Sequence, residues 1–301
     1  MARAIAVLLA GGVVVFPTET VYGLGAMALN REAVEKIFLI KGRPSTNPLI
    51  VHVSGVPQAK ELVAEWPDVA DDLAKMYWPG PLTLVLKKQA NVPDEITAGA
   101  DTVAIRCPAN AIAQALISAT GPLAAPSANR SGELSPTTAA HVVRSLGDAV
   151  SVILDGGPCV GGLESTVIDL SVAKPRLLRP GLLDRTQLEA TLGQLELGIS
   201  SGSGAMPSPG MLARHYAPRT ALECANTAEE ADFLVNLYET AGLKVARYVP
   251  PADVAQAALR LYADLHQLDT SGFDRIIATL PADESMWQAI RDRLLRASAE
   301  E

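Results

Sequence analysis

Nine polar residues at the ends of apolar segments could do chemistry in this chain: Thr20, Lys41, Arg43, Asn47, Arg106, Ser127, Ser135, Ser165 and Arg179. Hydroxyls and cations dominate the set. Arginine grips phosphate or carboxylate with a planar fork, and lysine adds a point charge. The inventory suits a polyanionic ligand better than covalent catalysis. Templates for other chemistries are absent: no Gly-x-x-x-x-Gly-Lys-Ser/Thr loop and no Gly-x-Gly-x-x-Gly after a strand. The four histidines, His52, His141, His215 and His266, make no metal pattern. Each candidate also has a plainer reading. A strand-end arginine is more often an ion pair than a ligand contact, and His52 is either a satisfied core histidine or a ligand contact. The recurrence of such groups at successive loops is what favours a site.

The stretch from Gly12 to Gly25 is the element around which these residues gather. Its apolar run predicts a buried strand over 13–16, ended by Pro17, which cannot extend a central ladder. The polar turn Thr18-Glu19-Thr20 follows, and then Tyr22 with two glycines, read as a Gly-rich turn. Open α/β sheets bind ligands at the carboxyl ends of strands, which is where this turn falls. Asn30 can cap a helix over 31–40 with Ala33, Val34, Ile37 and Phe38 on its buried face. Residues 41–48 form a loop with two cations and two prolines. Further strands are expected over 49–53, 82–86, 102–108, 123–126, 152–154 and 176–179, with a turn at 161–165 feeding another strand. Helices are expected over 57–64, 69–76, 111–119 and 184–192. Trp78-Pro79-Gly80-Pro81 reads as a rigid turn. Ser135-Pro136 matches an N-cap followed by proline at the first helical position, opening a helix over 137–146 whose free N–H groups suit an anion. Residues 1–10 read as an amphipathic first helix, since no small-residue cleavage zone follows them.

A length of 301 residues suggests about two domains. The chain is 49% hydrophobic but only 4% aromatic, so its core is built from Ala, Val, Leu and Ile. A net charge of -8 argues against a protein whose main task is coating nucleic acid, because phosphate neutralisation dominates that affinity. Cys107, Cys159 and Cys224 are far apart and odd in number, which fits a reducing compartment. No apolar run approaches the ~20 residues that span a bilayer. Composition shifts after residue 197. Ser200 to Gly204 is flexible in type and Pro207 to Gly210 stiff, while Met211 to Pro218 is too rich in large side chains for a plain spacer. The expected organisation is a first domain over 1–197, a linker over 198–218 and a small α/β domain over 219–301. In the last, strands at 221–224, 244–248 and 275–280 alternate with helices at 228–240, 254–265 and 284–296, the pattern of a parallel sheet.

Several segments, in order, resemble the YrdC-type threonylcarbamoyl-AMP synthases. They are Phe16-Pro17-Thr18-Glu19-Thr20-Val21-Tyr22-Gly23-Leu24-Gly25; Lys41-Gly42-Arg43-Pro44 with Asn47-Pro48-Leu49; Pro79-Gly80-Pro81-Leu82-Thr83; Ser127-Ala128-Asn129 with Ser135-Pro136-Thr137; and Glu164-Ser165-Thr166-Val167-Ile168-Asp169. Ser208-Pro209-Gly210-Met211 with Arg214-His215-Tyr216-Ala217-Pro218 resembles the linker of the family's longer, two-domain form. The resemblance implies a twisted mixed α/β sheet around a concave cavity, plus a smaller Rossmann-like C-terminal α/β domain. It implies ATP-dependent synthesis of threonylcarbamoyl-AMP from L-threonine and bicarbonate or carbon dioxide. Diphosphate is released, and other transferase proteins pass the group to tRNA beside the anticodon. By the same resemblance Thr20, His52, Arg106, Ala125 and Ser165 surround threonine. Arg43, Asn47, Thr102, Ser127, Ser135, Arg179 and Tyr216 hold ATP, and Lys41 with Arg43 serves the phosphates. Thr18 and Glu19 are structural or arrange Thr20. Magnesium is expected on the phosphates with no protein metal site, and the location is cytoplasmic. Met211 to Pro218 is expected to fold over the filled cavity or to dock the two domains. Three other readings stand beside this one, the last-ranked being a structural or regulatory protein with a degenerate site. A tRNA-binding module without turnover is disfavoured by the acidic balance. A carbamoyl-adenylate enzyme of metallocentre maturation would carry zinc-finger or acyl-phosphatase-like segments, which this sequence lacks.

Overall fold

The computed structural model describes residues 1–198 and 214–299. Nine strands form one sheet: β1 (Val14–Phe16), β2 (Gly23–Met27), β3 (Ile50–His52), β4 (Leu82–Lys87), β5 (Thr102–Arg106), β6 (Leu123–Ala124), β7 (Thr166–Asp169), β8 (Arg176–Arg179) and β9 (Glu196–Leu197). Their spatial order is β1-β2-β6-β3-β5-β4-β7-β8-β9. The β3/β5, β4/β7 and β8/β9 pairs are parallel and the rest antiparallel, so the sheet is mixed as expected. Helices α1 (Ala2–Leu9), α2 (Arg31–Lys41), α3 (Val56–Lys60), α4 (Asp68–Tyr77), α5 (Asp94–Thr97), α6 (Ala111–Thr120), α7 (Ala139–Leu146) and α8 (Arg185–Leu192) accompany it.

Strand alternation sorts the chemistry onto one face. Val51, Leu84, Leu86, Val103, Ile105 and Ile168 enter the main core with Ala33, Val34 and Ile37 of α2 and Ala70 and Leu73 of α4. Their alternates, Ile50, Val85, Ala104 and Val167, form a small apolar floor with Leu178 on the other face. Cross-strand register continues that face into polar residues: His52 lies opposite Arg106, Thr83 opposite Arg106, and Val167 opposite Arg179. Helices α1 and α6 cover the flank of this face, packing Leu8, Leu116 and Ile117 against Val14, Phe16 and Leu123. The centre is left concave.

The remaining elements are β10 (Ala221–Ala225), α9 (Ala228–Thr240), β11 (Val245–Tyr248), α10 (Val254–Asp269), β12 (Arg275–Thr279) and α11 (Gln288–Ser298). Their three strands are parallel, in the order β10-β12-β11. The core of this smaller unit is continuous with the first: Val21, Leu134, Leu163 and Tyr216 share one cluster with Leu261, Tyr262, Ile276 and Leu294. Gly162, at φ +78°, marks the closest approach. A Cβ there would sit 2.4 Å from the Ala258 carbonyl oxygen of α10.

Several expectations need correction. Gly23 and Gly25 lie in a strand, not a turn. A side chain at Gly25 would come within 2.6 Å of the Phe16 ring on the paired strand, so glycine here makes room for an aromatic. The helix expected from residue 137 begins at Ala139 with Thr138 as its cap, and its Oγ1 accepts from the His141 N–H at 3.3 Å. Ser135 instead donates to Glu164. Residues 152–154 form only an isolated bridge, Ile153 to Val15. The helix expected over 57–64 is the short α3, and α5 and β9 had no local signal.

Candidate active site

The loop between β1 and β2 builds one wall. Thr18 Oγ1 accepts from the N–H groups of Thr20 and Val21 at 3.1 and 3.2 Å and donates to the Val21 carbonyl at 2.7 Å. This local turn presents Thr20 inward, its hydroxyl 2.7 Å from that of Thr18. Tyr22 ties the loop down by donating to the Gly157 carbonyl at 2.7 Å and accepting from the Gly156 N–H at 3.1 Å. Burial pushes the Tyr22 phenol up to about 12, so it stays a neutral donor.

Three arginines converge from other elements. Arg106, at the end of β5, donates to Thr20 Oγ1 at 2.8 Å, Glu19 Oε1 at 2.5 Å and the Gly80 carbonyl at 3.2 Å. The ion-pair reading and the ligand reading are therefore compatible: these bonds use three of the five guanidinium donors, and Arg106 also lines the cavity. Arg43 is held by Asn47 Oδ1 at 2.5 Å and the Pro48 carbonyl at 2.8 Å. Burial, opposed by Tyr216 and aided by Arg179, lowers its pKa to about 10, still charged near neutrality. Arg179 of β8 reaches the Ser165 carbonyl at 2.9 Å and Ser165 Oγ at 3.1 Å, and Ser165 Oγ also meets Thr83 Oγ1 at 2.7 Å.

Thr20, Arg43, His52, Arg106, Ala125, Ser127, Ser165, Arg179 and Tyr216 all line one cavity of about 530 Å³, part of it open to solvent. Lys41, Asn47, Thr102 and Ser135 do not. Lys41 Nζ lies beneath the wall, donating to the carbonyls of Ser127, at 2.6 Å, and Asn129. Burial first and then Arg43 push its pKa down, and Glu133 opposes that. Its position is that of a post under the Ser127 loop. Asn47 orients Arg43 from behind. Thr102 shares the face of Arg106 but sits four residues earlier on β5, about 13 Å along the strand. Ser135 stands behind Glu164, which does line the cavity.

Buried polar atoms without partners among the described residues include three on cavity-lining residues, His52 Nδ1, His215 Nδ1 and the Tyr216 hydroxyl, and Asn47 Nδ2 behind Arg43. Such groups are rare in folded proteins and mark where a ligand would bond. Burial, with Arg106 beside His52 and Arg43 beside His215, pushes both imidazoles down to about 3, so both are neutral. Tyr216 adopts left-handed backbone, φ 61°, and is held against His215 (ring centroids 4.1 Å apart), Tyr262 (5.9 Å) and the Arg293 guanidinium (4.9 Å). Arg214 to Pro218 thus reach the cavity rim and the C-terminal unit, whereas Met211 to Ala213 and the rest of residues 199–213 lie outside the described residues.

Sequence reasoning missed Glu164, Thr83, His215, Tyr262 and Arg293 as parts of this neighbourhood. Glu164 and His215 stand inside the motifs that flagged their neighbours. Tyr262 and Arg293 sit on amphipathic helices and carried no local signal.

A mixed sheet whose polar face holds a cavity of arginines and hydroxyls, fused to a small parallel α/β unit, defines the YrdC-type architecture with an accessory domain. The chain belongs to the threonylcarbamoyl-AMP synthase family, in its two-domain form. A family model described as Telomere recombination matches residues 6–181, and one described as Threonylcarbamoyl-AMP synthase, C-terminal domain, matches residues 183–299. The threonylcarbamoyl-AMP synthase of Bacillus subtilis is 42% identical, covering 99% of this chain and 92% of that protein. The enzyme of the same name from Pyrococcus abyssi is 40% identical over 96% of this chain and 91% of its own length. The crystal structure of P. abyssi Sua5 complexed with L-threonine superposes with a TM-score of 0.93 at 40% identity, covering 98% of this chain and 93% of that one. E. coli YciO matches 62% of this chain and 91% of its own at 29% identity, TM-score 0.56.

Proposed function

We propose that this chain makes threonylcarbamoyl-AMP from L-threonine, bicarbonate or carbon dioxide, and ATP, releasing diphosphate. The product serves threonylcarbamoylation of the adenosine beside the anticodon of tRNA. The observation that carries this reading is the single cavity in which three arginines, several hydroxyls and unpartnered buried polar atoms meet. Residues 1–197 act as the catalytic unit, 198–218 as linker and 219–301 as accessory domain.

The threonine end is assigned to Thr20, His52, Arg106, Ala125 and Ser165. Arg106 meets the substrate carboxylate with its remaining donors, and neutral His52 offers Nδ1 to the amine or hydroxyl. The nucleotide end is assigned to Arg43, Ser127, Arg179 and Tyr216. Asn47 and Ser135 act one layer behind, Thr102 lies farther along the same face, and Lys41 supports the Ser127 loop. The nucleophile comes from the substrate. The threonine amine bonds to carbon dioxide and loses a proton, or to bicarbonate with loss of water. A carbamate oxygen then bonds to the α-phosphorus, and the bond to the β-phosphate oxygen breaks, its electron pair leaving with diphosphate. Such a step asks for alignment and for positive charge on the phosphate oxygens, which the arginines provide. Glu19 and Glu164 are already engaged by Arg106 and Arg293, so magnesium entering with ATP would be held by phosphates and water. Magnesium supplies further neutralisation of phosphate charge. The location proposed is the cytoplasm, as a reaction using ATP and serving tRNA would require. No helix among the described residues is long and apolar enough to cross a membrane.

The test is diphosphate release with ATP, magnesium and bicarbonate, with and without L-threonine, and mass analysis of the products. Release that needs both threonine and bicarbonate, with the threonylcarbamoyl-AMP mass, is expected. Release independent of threonine overturns the substrate, and tRNA binding without release favours the binding-module reading.

A further inference from the structure

The cavity that is to hold a polyanion is lined by a carboxylate, Glu164. An anionic side chain facing phosphates opposes binding unless something cancels its charge. The canceling group comes from the far end of the chain. Arg293, on α11 and 129 residues away, donates from Nε to Glu164 Oε2 at 2.9 Å. Its other donors go to the Pro180 carbonyl at 3.0 Å and Asp292 Oδ2 at 2.6 Å, and its guanidinium lies 4.9 Å from the centre of the Tyr216 ring. The side chain is 1% exposed. Buried and bonded through all three guanidinium nitrogens, Arg293 holds Glu164 in the cavity wall.

Glu164 in turn orders polar groups around the site. Ser135 donates to its Oε1 at 2.5 Å, and Tyr262 of α10 lies 3.0 Å from both oxygens. The groups that face it are therefore Ser135, Tyr262, Arg293 and, through space, Arg179, His215 and Tyr216. Burial alone would push this carboxyl up. Arg293 and Arg179, with the hydrogen bonds from Ser135 and Arg293, hold it down to about 2 instead. Two of these groups, Tyr262 and Arg293, belong to the C-terminal unit.

We infer that Arg293 is a positioning residue for the nucleotide: it neutralises Glu164 and so lets the cavity accept ATP, which makes the C-terminal domain an integral part of the active-site wall. The inference rests on the assignment of this cavity to ATP. Without Arg293, Glu164 loses its direct ion-pair partner and keeps only the more distant Arg179 and the Ser135 and Tyr262 hydroxyls against its buried charge. Near neutrality it either repels the phosphates or takes up a proton, and the proton-bound fraction grows as pH falls.

The experiment uses the full chain and measures the Kd for ATP by titration together with KM and kcat. Arg293→Met keeps the apolar stem and removes the charge. The expected result is an ATP KM raised by about tenfold or more at about pH 8, with the deficit shrinking toward about pH 6 as Glu164 protonates. Arg293→Lys retains most of the affinity. Arg293→Met with Glu164→Gln returns ATP affinity to within about threefold of Glu164→Gln alone, because no charge is left to cancel. A deficit equal at every pH, and not repaired by Glu164→Gln, means a purely structural role and overturns the inference. So does normal ATP affinity in Arg293→Met. If that single variant does not fold, the folded double variant decides, and ATP affinity well below that of Glu164→Gln alone counts against. Arg179→Met, measured alongside, reports on the cavity itself. Normal ATP affinity there overturns the site assignment and the inference with it. Weak affinity there with normal affinity in Arg293→Met overturns only the role of Arg293.

Discussion

Arg106→Lys separates geometry from charge at the threonine end. The arginine fork reaches three partners at once: Thr20 Oγ1, Glu19 Oε1 and the Gly80 carbonyl, at 2.8, 2.5 and 3.2 Å. A lysine keeps the positive charge but presents a single nitrogen, which cannot span Thr20, Glu19 and a substrate carboxylate together. Each charge-assisted hydrogen bond is worth roughly 1.5–3 kcal/mol, and lysine recovers part of that, so a net loss of about 2 kcal/mol is expected. That corresponds to about a 30-fold rise in KM for threonine. Because Arg43 and Arg179 are untouched, KM for ATP should stay within about threefold. Glu19 adds a complication, since its carboxylate also accepts from the Ala109 N–H at 2.9 Å and could draw the lysine toward itself. Glu19→Gln in the same chain removes that pull and should recover part of the threonine affinity. The assay is diphosphate release across threonine and ATP concentrations, with thermal unfolding as a check on folding. An unchanged threonine KM, or an ATP KM that rises as much, would refute the assignment of Arg106 to the threonine carboxylate.

Two further outcomes follow from burial. His52 and His215 are held at about 3 in the folded chain, by burial first and then by Arg106 and Arg43, against about 6.5 when unfolded. The unfolded state therefore binds more protons between those limits, and stability falls as pH drops below about 6.5, by about 1.4 kcal/mol per pH unit for each fully engaged histidine. Between pH about 7.5 and about 5.5 the two together should cost about 3 kcal/mol, read as a lower urea midpoint; an unchanged midpoint contradicts neutral, buried imidazoles. Gly25→Ala places a methyl 2.6 Å from the Phe16 ring and should destabilise by about 1–3 kcal/mol. Phe16→Leu in the same chain should return part of that loss, and failure to do so in thermal unfolding would mean that the ring is not the obstacle.

Local structure was legible because local preferances act between neighbours. Asn30 caps α2 as its position implies, its side chain accepting from the Ala33 N–H at 3.1 Å. The alternation of residues 221–296 reads directly as a three-stranded parallel unit. The types of the site residues were legible too: hydroxyls and arginines at segment ends announced an anion before any geometry was known. Where local signals competed, the sequence alone misled. Ser135-Pro136 has the form of a helix start, yet the Ser135 hydroxyl goes to Glu164, since a buried carboxylate needs donors more than an already capped helix does. Gly23 and Gly25 have the form of a turn, yet the bulk of Phe16 and pairing with β1 draw them into a strand.

Sequence by itself determined most of the elements and which side chains could meet an anion, because helix caps, strand alternation and turn chemistry depend on residues a few positions apart. Tertiary structure decided who partners whom. Arg106 lies 87 residues from Glu19, and Arg293 lies 129 from Glu164. No spacing in the chain encodes those pairs. They exist because the β1–β2 loop reaches across to the end of β5 and because α11 brings Arg293 against the turn that carries Glu164, where a buried charge is tolerated only next to its counter-charge.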